Sequence, residues 1–327
     1  MAFNGSPPHP TAAERHLPVL KEETLSFFTP EPGGLYLDGT LGMGGHAEAL
    51  LEKAKRTNTG ITLLGMDRDQ DALALASERL SPFGAAFVGE HGCFSEFLTP
   101  LAGQGRTRVD GALIDIGVSS MQLDENERGF SFSGDGPLDM RMDRSTGQSA
   151  ATLVNTASVA RLKEIITTYG EEPMAGRIAR AIDDARSAKS LETTGELAEV
   201  VARAYPAKWR AKARNHPATR TFQALRMVVN NELEELTLFL ERILPCLNTG
   251  GTLAVITFHS LEDRIVKHFF RDKATGCRCP RHIPRCVCNH RPEMEILTKK
   301  PVCASPDELA RNPRAGSAKL RVARRLP

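Results

Sequence analysis

The segment 35–51 constrains the fold of this chain more than any other. It starts with the apolar run 35–37, turns through Gly42 and Gly44, and continues as a helical pattern from Ala47. A strand that turns through glycines into a helix leaves the backbone N–H groups at the helix start open to a charged or polar ligand. The spacing fits a nucleotide-binding turn, but it equally fits a glycine turn that only packs a strand against a helix.

Acidic residues follow three of the predicted strands. Asp38 follows the run 35–37, Asp67 follows the apolar run 61–66, and Asp115 follows the apolar run 109–114. In a parallel sheet the carboxyl ends of the strands meet at the edge that binds ligands. We therefore expect the three carboxylates to converge, with Asp67 placed to accept hydrogen bonds from the ribose of NAD or of S-adenosylmethionine.

Strand and helix patterns alternate through the first part of the chain, which predicts βαβ units and a parallel sheet. The predicted elements are strand 35–38, helix 44–55, strand 61–66, helix 70–80, strand 85–88 and strand 109–114.

After Gln122 the alternation stops, and helical patterns cover 153–169, 174–188 and 191–204. The α/β pattern then resumes with a long helix over 218–244 and strands over 252–258 and 319–323. We predict an α/β, Rossmann-like fold with an inserted helical domain. Its predicted parts are a flexible tail over 1–15, a Rossmann-like domain over 16–123 and 215–327, and the insert over 124–214.

Charge is distributed unevenly along the 327 residues, whose net charge is only +2. Residues 1–199 hold 18 Lys and Arg against 29 Asp and Glu, whereas residues 200–327 hold 24 against 11. This asymmetry favours a polyanionic partner for the second part, although scattered solvated lysines also produce mild basicity. The sequence shows neither a membrane-spanning apolar run nor the apolar core of a signal peptide, so we expect a cytoplasmic protein without membrane contact. It does not indicate an oligomeric state.

Short segments distributed over nearly all of residues 16–325 resemble one family, the MraW-type 16S ribosomal RNA cytosine N4-methyltransferases (methyltransferase H). The segments are HLPVL (16–20), DGTLGMGGH (38–46), DIGVSSMQLD (115–124), RGFSF (128–132), GPLDMRMD (136–143), HPATRTFQA (216–224), FHSLEDR (258–264) and NPRAGS (312–317).

The resemblance implies a Rossmann-like S-adenosylmethionine-dependent methyltransferase fold and methylation of the N4 amine of one decoding-centre cytidine in small-subunit (16S) ribosomal RNA. Phe94 would wall the adenine of the cofactor. Taken from the residues alone, Phe94 fits a core position and Gln122 fits a helix cap just as well. The implied contacts with S-adenosylmethionine are Gly44, Gly45, His46, Asp67, Phe94, Asp115 and Gln122.

A cytosine N4 amine is a poor nucleophile, because its lone pair delocalises into the ring. Alignment with the methyl donor and acceptors for the N4 hydrogens would therefore carry the catalysis. The Asp/Asn/Ser-Pro-Pro-aromatic motif of amino-methyltransferases is absent. His259 also fits a partner of Asp263, and Asp139 also fits an ion-pair cluster with Arg141 and Asp143. The candidate acceptors are Asp115, Ser119, Asp139 and His259.

Four of the seven cysteines lie close together, which suggests a tetrahedral zinc site. C-x-C pairs are less usual in such sites than C-x₂-C pairs, and His282 and His290 offer competing ligands. A flexible basic loop is the alternative, and the resemblance implies no metal. The four are Cys277, Cys279, Cys286 and Cys288.

A stretch over 200–231 contains no acidic residue but includes Tyr205, Trp209 and His216, a mixture that suits phosphate contact with base stacking. We expect it to bind the RNA, although a solvated helix face is the alternative. Its cations are Arg203, Lys208, Arg210, Lys212, Arg214, Arg220 and Arg226.

Two other function classes stay open from the sequence. An NAD-dependent oxidoreductase would use the same glycine turn and Asp67, but no hydride-transfer partner is recognisable. A noncatalytic RNA-binding protein that keeps a cofactor fold is the other alternative.

Overall fold

A seven-stranded β-sheet underlies the part of the chain that contains the glycine turn. The computed structural model describes residues 18–207, 216–279, 285 and 287–327. The strands are β1 (Gly34–Asp38), β2 (Ile61–Asp67), β3 (Phe87–His91), β4 (Val109–Asp115), β5 (Leu247–Thr257), β6 (Met294–Ile296) and β7 (Lys319–Arg325).

The strand order is β3-β2-β1-β4-β5-β7-β6, so the order reverses at β1, which lies between β2 and β4. Strands β1 to β5 pair in parallel, with Leu37 opposite Leu64 on one side and Ala112 on the other. Strand β7 runs antiparallel between β5 and β6. An open parallel sheet whose order reverses is Rossmann-like, and the predicted fold class is confirmed. Ligands of such sheets bind beyond the carboxyl ends of the strands at the reversal point.

The helices flank this sheet or form a separate group later in the chain. None of the described helices has the length and apolar character needed to cross a bilayer. The described α-helices are α1 (Lys21–Ser26), α2 (Gly45–Arg56), α3 (Gln70–Leu80), α4 (Leu98–Gly103), α5 (Ser120–Asp124), α6 (Ala150–Thr156), α7 (Val159–Thr168), α8 (Ala175–Ala188), α9 (Thr194–Ala204), α10 (Thr219–Val229), α11 (Glu232–Cys246), α12 (Ser260–Lys273) and α13 (Pro306–Arg311).

Contacts between residues divide the chain into two compact units, the first formed by Met1–Gly117 with Leu236–Pro327 and the second by Val118–Glu235. In the first unit, alternate residues of each strand enter different cores, because successive side chains point to opposite faces of a sheet. Leu37 of β1 packs in the core that contains α11 and α12, whereas Tyr36 packs in the core that contains α2 and α3.

The second unit is built around its own apolar core, which α6 to α10 supply. Phe222 and Leu225 of α10 are buried in that core. The units therefore divide after Gly117 and after Glu235, whereas the sequence placed the boundaries after 123 and after 214. That the second unit recognises the substrate stays a prediction.

Two predicted helices are each two helices in the structure, so the single helices over 153–169 and 218–244 were wrong. Helix α6 ends at Thr156, and Ser158 starts α7 by accepting a hydrogen bond from the Arg161 N–H at 3.2 Å. Between α10 and α11, the Asn230 side chain bonds to the backbone of Met140 and Met142. Asn231 then adopts a φ of 51°, a left-handed conformation in which helices commonly end.

The ends of the sheet also differ from the prediction. Strand β3 begins at Phe87 rather than at 85, because a short 3₁₀ helix occupies Ser81–Ala86. Strand β6 has only three residues and was not predicted. The predicted tail over 1–15 lies outside the described residues.

Candidate functional site

Three acidic residues end neighbouring strands of the first unit. Asp38 is the last residue of β1, Asp67 of β2 and Asp115 of β4. Strand β1 lies between the other two, so the carboxyl groups share one edge of the sheet, as predicted.

Asp38 is the most deeply buried of the three, with 3% of its surface exposed. Its Oδ1 accepts a hydrogen bond from the Thr40 N–H at 3.2 Å. Burial raises the pKa of Asp38 to about 7; His46 lowers it, while Asp115 and Asp67 raise it further. Ionising all three carboxyl groups at this edge is therefore unfavourable, and a ligand that carries positive charge would reduce their repulsion.

The turn between β1 and α2 requires glycine at several positions. Gly42 and Gly44 have φ angles of 53° and 76°, in the left-handed region where side chains are strained. A Cβ on Gly45 would lie 2.4 Å from Cγ of Pro18. Gly44 is the residue before α2, and no side chain at this position accepts a hydrogen bond from the first N–H groups of the helix. The start of α2 thus keeps the open N–H groups that suit a polar ligand.

Asp67 is tied to this turn by its carboxylate. Oδ2 accepts the Gly42 N–H at 2.7 Å, and Oδ1 accepts the Asp69 N–H at 2.8 Å. Burial raises the pKa of Asp67 to about 6, although both hydrogen bonds lower it. An ionised carboxylate offers about four acceptor positions. Two therefore stay available for hydroxyl donors of a ligand.

His46 and Asp115 present buried polar atoms to the same edge. His46 lies in the first turn of α2, and its Nε2 is 3.7 Å from Oδ2 of Asp115. The Asp115 backbone N–H donates to Oγ1 of Thr40 at 2.5 Å, which fixes the end of β4. Among the described residues, neither ring nitrogen of His46 nor Oδ1 of Asp115 has a hydrogen-bond partner. Buried polar atoms in proteins are normally paired, so these atoms indicate a ligand.

Phe94 adds an aromatic side chain beside the glycine turn. It begins the short 3₁₀ helix Phe94–Glu96 after β3. Its ring packs edge-on against Phe239 with centroids 5.4 Å apart, and a Cβ on Gly39 would lie 2.8 Å from Cβ of Phe94. The side chain is only partly buried, so it serves the core and still has surface for a ligand. Its contact with a cofactor stays a prediction.

Ser119 and Gln122 lie in the second unit and form a reciprocal cap on α5. Oγ of Ser119 accepts the Gln122 N–H at 3.2 Å, and Oε1 of Gln122 accepts the Ser119 N–H at 3.1 Å. The helix-cap interpretation of Gln122 is therefore confirmed. The roles of Gln122 in cofactor binding and of Ser119 in catalysis stay predictions.

Asp139, also in the second unit, is held by Arg141. The guanidinium donates to both carboxylate oxygens, at 2.7 and 2.9 Å. Partial burial would raise the pKa of Asp139, but the hydrogen bonds from Arg141 lower it overall. Asp143 instead accepts hydrogen bonds from Ser145. The ion-pair interpretation is therefore confirmed for Asp139 and Arg141, and the role of Asp139 in catalysis stays a prediction.

His259 precedes α12 in the first unit and faces Glu262. Its Nε2 lies 2.8 Å from Oε1 of Glu262, a residue with no exposed surface. The interpretation of His259 as a partner of Asp263 was therefore wrong. Glu262 is the third residue of α12, the position from which a side chain reaches back to the helix start, whereas Asp263 pairs with Arg321 of β7 at 2.6 Å.

The basic stretch differs in part from its prediction. Lys208, Arg210, Lys212 and Arg214 lie outside the described residues. The other three cations have acidic partners in the fold, although the stretch itself contains no acidic residue. Arg203 pairs with Glu199, Arg226 pairs with Glu232 through two hydrogen bonds of 2.8 Å, and Arg220 donates to the backbone oxygen of Glu171 at 3.2 Å.

Two contributors to this geometry were missed from the sequence. Thr40 holds the end of β4 through its hydroxyl, and its place directly after Asp38-Gly39 was the available signal. Glu262 engages His259, and the spacing of a cap residue followed three residues later by Glu could have identified it.

Comparison with known proteins extends the resemblance to the whole chain. Residues 13–326 match the model of the MraW methylase family. A protein of Oleidesulfovibrio alaskensis named ribosomal RNA small subunit methyltransferase H is 62% identical over 95% of this chain and 95% of its own length. A protein of the same name from Desulfovibrio desulfuricans is 62% identical over 97% of this chain and 96% of its own length. Another from Trichlorobacter lovleyi is 52% identical over 95% of this chain and 98% of its own length.

Proposed function

The chain belongs to the MraW methylase family, and from this premise we propose that it transfers a methyl group from S-adenosylmethionine to small-subunit ribosomal RNA. The names of its relatives support the substrate class. The observation that carries the cofactor assignment is the edge of the sheet at which His46 and Asp115 keep buried, unpartnered polar atoms beside the glycine turn.

The residues at this edge fit S-adenosylmethionine in both shape and charge. Asp67 has acceptor positions left for the two ribose hydroxyls. The start of α2 at Gly44 and Gly45 has no side-chain cap, so its backbone N–H groups can bind polar atoms of the cofactor. The cofactor carries a sulfonium and an ammonium group, and positive charge suits an edge where Asp38 and Asp115 lie close to Asp67.

When bound, S-adenosylmethionine supplies an electrophilic methyl group. We infer further that the acceptor is the N4 amine of a decoding-centre cytidine, as the family resemblance implies. Formation of the carbon–nitrogen bond breaks the carbon–sulfur bond and releases one N4 proton. An acceptor that holds an N4 hydrogen would direct the amine lone pair toward the methyl group.

The four candidate acceptors differ in how many hydrogen bonds or ion pairs they already make. Oγ of Ser119 already accepts in the cap of α5, Asp139 is engaged by Arg141, and His259 faces Glu262. Asp115 retains a buried oxygen without a described partner. We therefore rank Asp115 first as the residue that orients either the cofactor amine or the N4 group.

The proposal also assigns RNA recognition to the second unit and the basic stretch that it contains. Ribosomal RNA is a polyanion, and residues 200–327 carry 24 basic against 11 acidic residues. Because Arg203 and Arg226 have acidic partners, we propose Lys208, Arg210 and the neighbouring cations as the phosphate contacts.

The test is transfer of a labelled methyl group from S-adenosylmethionine to small ribosomal subunits isolated from a strain that lacks this modification. We expect incorporation that approaches one methyl group per subunit. Subunits from the parent strain already carry the methyl group and should incorporate none. Asp115→Asn should reduce the transfer strongly. Binding of NADH in place of S-adenosylmethionine in calorimetry would indicate an oxidoreductase, and cofactor binding without transfer would indicate a noncatalytic protein.

A further inference from the structure

The loop between α12 and β6 carries a cluster of thiols that the proposed reaction does not use. The sulfur atoms of Cys277, Cys279 and Cys288 all lie within 4.8 Å of one another. Cys286, the fourth cysteine named from the sequence, lies outside the described residues. The structure thus brings together three residues that are separated by up to eleven positions in the chain.

The spacing of the sulfur atoms matches a single tetrahedral metal ion. Sγ of Cys288 and Sγ of Cys277 are 3.9 Å apart. A zinc–sulfur bond of about 2.3 Å gives sulfur atoms about 3.8 Å apart at tetrahedral angles, whereas a disulfide brings them to about 2.05 Å. Cys277 and Cys288 therefore already have the separation that zinc would impose, and Sγ of Cys279 lies within 4.8 Å of both.

Backbone N–H groups point at the same sulfur atoms. The Arg278 N–H donates to Sγ of Cys288 at 3.3 Å, the Cys279 N–H to Sγ of Cys277 at 3.4 Å, and the Val287 N–H to Sγ of Cys279 at 3.3 Å. Such donors stabilise sulfur in its anionic, metal-binding form. Each of the three cysteines receives one of these hydrogen bonds.

The described residues of the loop form no apolar core that would explain how the three thiols are held together. Its base is closed by a hydrogen bond from the Glu293 N–H to the Lys273 carbonyl at 2.8 Å and by an ion pair of the same two side chains at 3.0 Å. None of the described residues between 274 and 292 is buried, and Val287 is 70% exposed. Segments that cannot bury apolar surface commonly depend on a disulfide or a metal ion for their structure.

We propose that Cys277, Cys279 and Cys288 bind one zinc ion as thiolates and that this ion holds the loop in its folded form. Binding exchanges the three thiol protons for the metal, so it releases protons to solvent. Thiolates select zinc over magnesium or calcium, which prefer oxygen ligands. Three thiolates leave one tetrahedral position for a further ligand. The proposal does not depend on the proposed methyl transfer.

The experiment measures metal content in the full-length protein, purified without a polyhistidine tag. We expect about one zinc per chain in the wild type and in Cys303→Ser, which removes an exposed cysteine outside the cluster. The combined change Cys277→Ser, Cys279→Ser and Cys288→Ser should abolish the zinc. Wild-type protein that contains no zinc and binds none after zinc is added and the excess is dialysed away would overturn the proposal. One equivalent of bound iron in place of zinc would also overturn it.

Two further measurements keep the test decisive if the triple variant folds poorly. Cobalt added to metal-stripped wild type should give the absorption of a tetrahedral thiolate complex, and zinc should displace it. Trypsin should cut the chain at Arg278, Arg285 or Arg291 faster after chelation than before. Octahedral cobalt spectra together with unchanged cleavage would contradict the proposal.

Discussion

At the scale of single residues, Asp67 is the proposed acceptor for the ribose hydroxyls of the cofactor. Its carboxylate fixes the glycine turn through Gly42 and Asp69 while two acceptor positions stay open. Because the proposed ligand would use only the open positions, a change at Asp67 should affect binding strongly and folding modestly.

We predict that Asp67→Ala lowers the affinity for S-adenosylmethionine by about 2–4 kcal/mol, since two charge-assisted hydrogen bonds are lost. The loss of stability should be smaller, about 1–2 kcal/mol, because removing the carboxylate frees two N–H groups but also removes the cost of burying its charge. Calorimetry and urea unfolding measure the two quantities. The matched control is Asp71→Ala, an exposed carboxylate in the first turn of α3. Equal affinities in the two variants would refute the role of Asp67.

Wild-type affinity should also depend on pH. The pKa of Asp67 is raised to about 6, and hydroxyl donors favour its ionised form. Affinity should therefore fall as the pH drops through about 6.

Asp38 offers a second prediction, because its pKa is about 7 in the folded chain against 3.8 ordinarily. A folded-state pKa above the unfolded value means that the folded chain binds the extra proton. The stability that protonated Asp38 contributes is therefore fully present below about pH 4 and is lost as the pH rises through about 7. Asp38→Asn removes this titration and keeps an oxygen for the Thr40 N–H. We expect the cofactor-free variant to be more stable than wild type by about 2–4 kcal/mol at pH 8.

The advantage of Asp38→Asn should shrink toward pH 5, and urea unfolding at several pH values measures it. Asp71→Asn, at an exposed carboxylate, should show no such trend. An advantage that is the same at pH 5 and pH 8 would contradict the burial argument.

At the scale of elements, α12 is joined to the sheet by an ion pair between Asp263 and Arg321 of β7. Only 14% and 9% of the two side chains is exposed. Partial burial would raise the pKa of Asp263, but the hydrogen bond and charge of Arg321 lower it overall. The pair therefore contributes stability at neutral pH that is lost on acidification.

We predict that Asp263→Ala lowers the free energy of unfolding by about 2–4 kcal/mol at pH 7, because it leaves Arg321 buried without its partner. Asp272→Ala on the same helix breaks a pair whose side chains are 57% and 44% exposed, and it should cost less than about 1 kcal/mol. Similar losses in both variants would mean that burial does not set the value of the first pair.

Sequence patterns predicted the βαβ elements well because strand runs such as 61–66 and 109–114 are apolar on both faces and end in acidic residues. The predicted single helix over 218–244 was wrong because tertiary contacts accompany a break between its two parts. Asn230 bonds to the backbone of a distant segment, and Asn231 adopts a φ of 51°. Apolar periodicity continues across such a break, so only tertiary contacts reveal it.

Site prediction shows the same limit. The carboxylates of Asp38, Asp67 and Asp115 follow from strand ends, which topology brings together. The partner of His259 was predicted wrongly, because apolar periodicity does not distinguish Glu262 from adjacent Asp263. The cap spacing, with Glu three residues after His259, was the signal left unused.

At the scale of the whole molecule, the excess of basic residues after 199 predicts how the RNA is held. We expect the combined change of Lys208, Arg210, Lys212 and Arg214 to Ala to leave S-adenosylmethionine binding unchanged. It should raise the apparent KM for ribosomal subunits and reduce the slope of log affinity against log salt, because each lost phosphate contact removes nearly one released counterion.

The matched control changes four exposed cations of the first unit, Lys55, Arg56, Lys299 and Lys300, to Ala and removes the same charge. Its salt slope should stay close to that of wild type. If the first variant keeps the wild-type slope, the RNA contacts other cations, and the basic segment 311–325 is the next to change.

The most direct test of the central claim is the identity of the methylated nucleoside. Small ribosomal subunits that lack the modification are incubated with the protein and S-adenosylmethionine bearing a deuterated methyl group, and the RNA is digested to nucleosides for mass spectrometry. The account predicts labelled N4-methylcytidine from one position in the decoding centre, absent with Asp67→Ala at limiting cofactor. Label in 5-methylcytidine, in a ribose methyl group or in another base, or no label in the RNA, would contradict it.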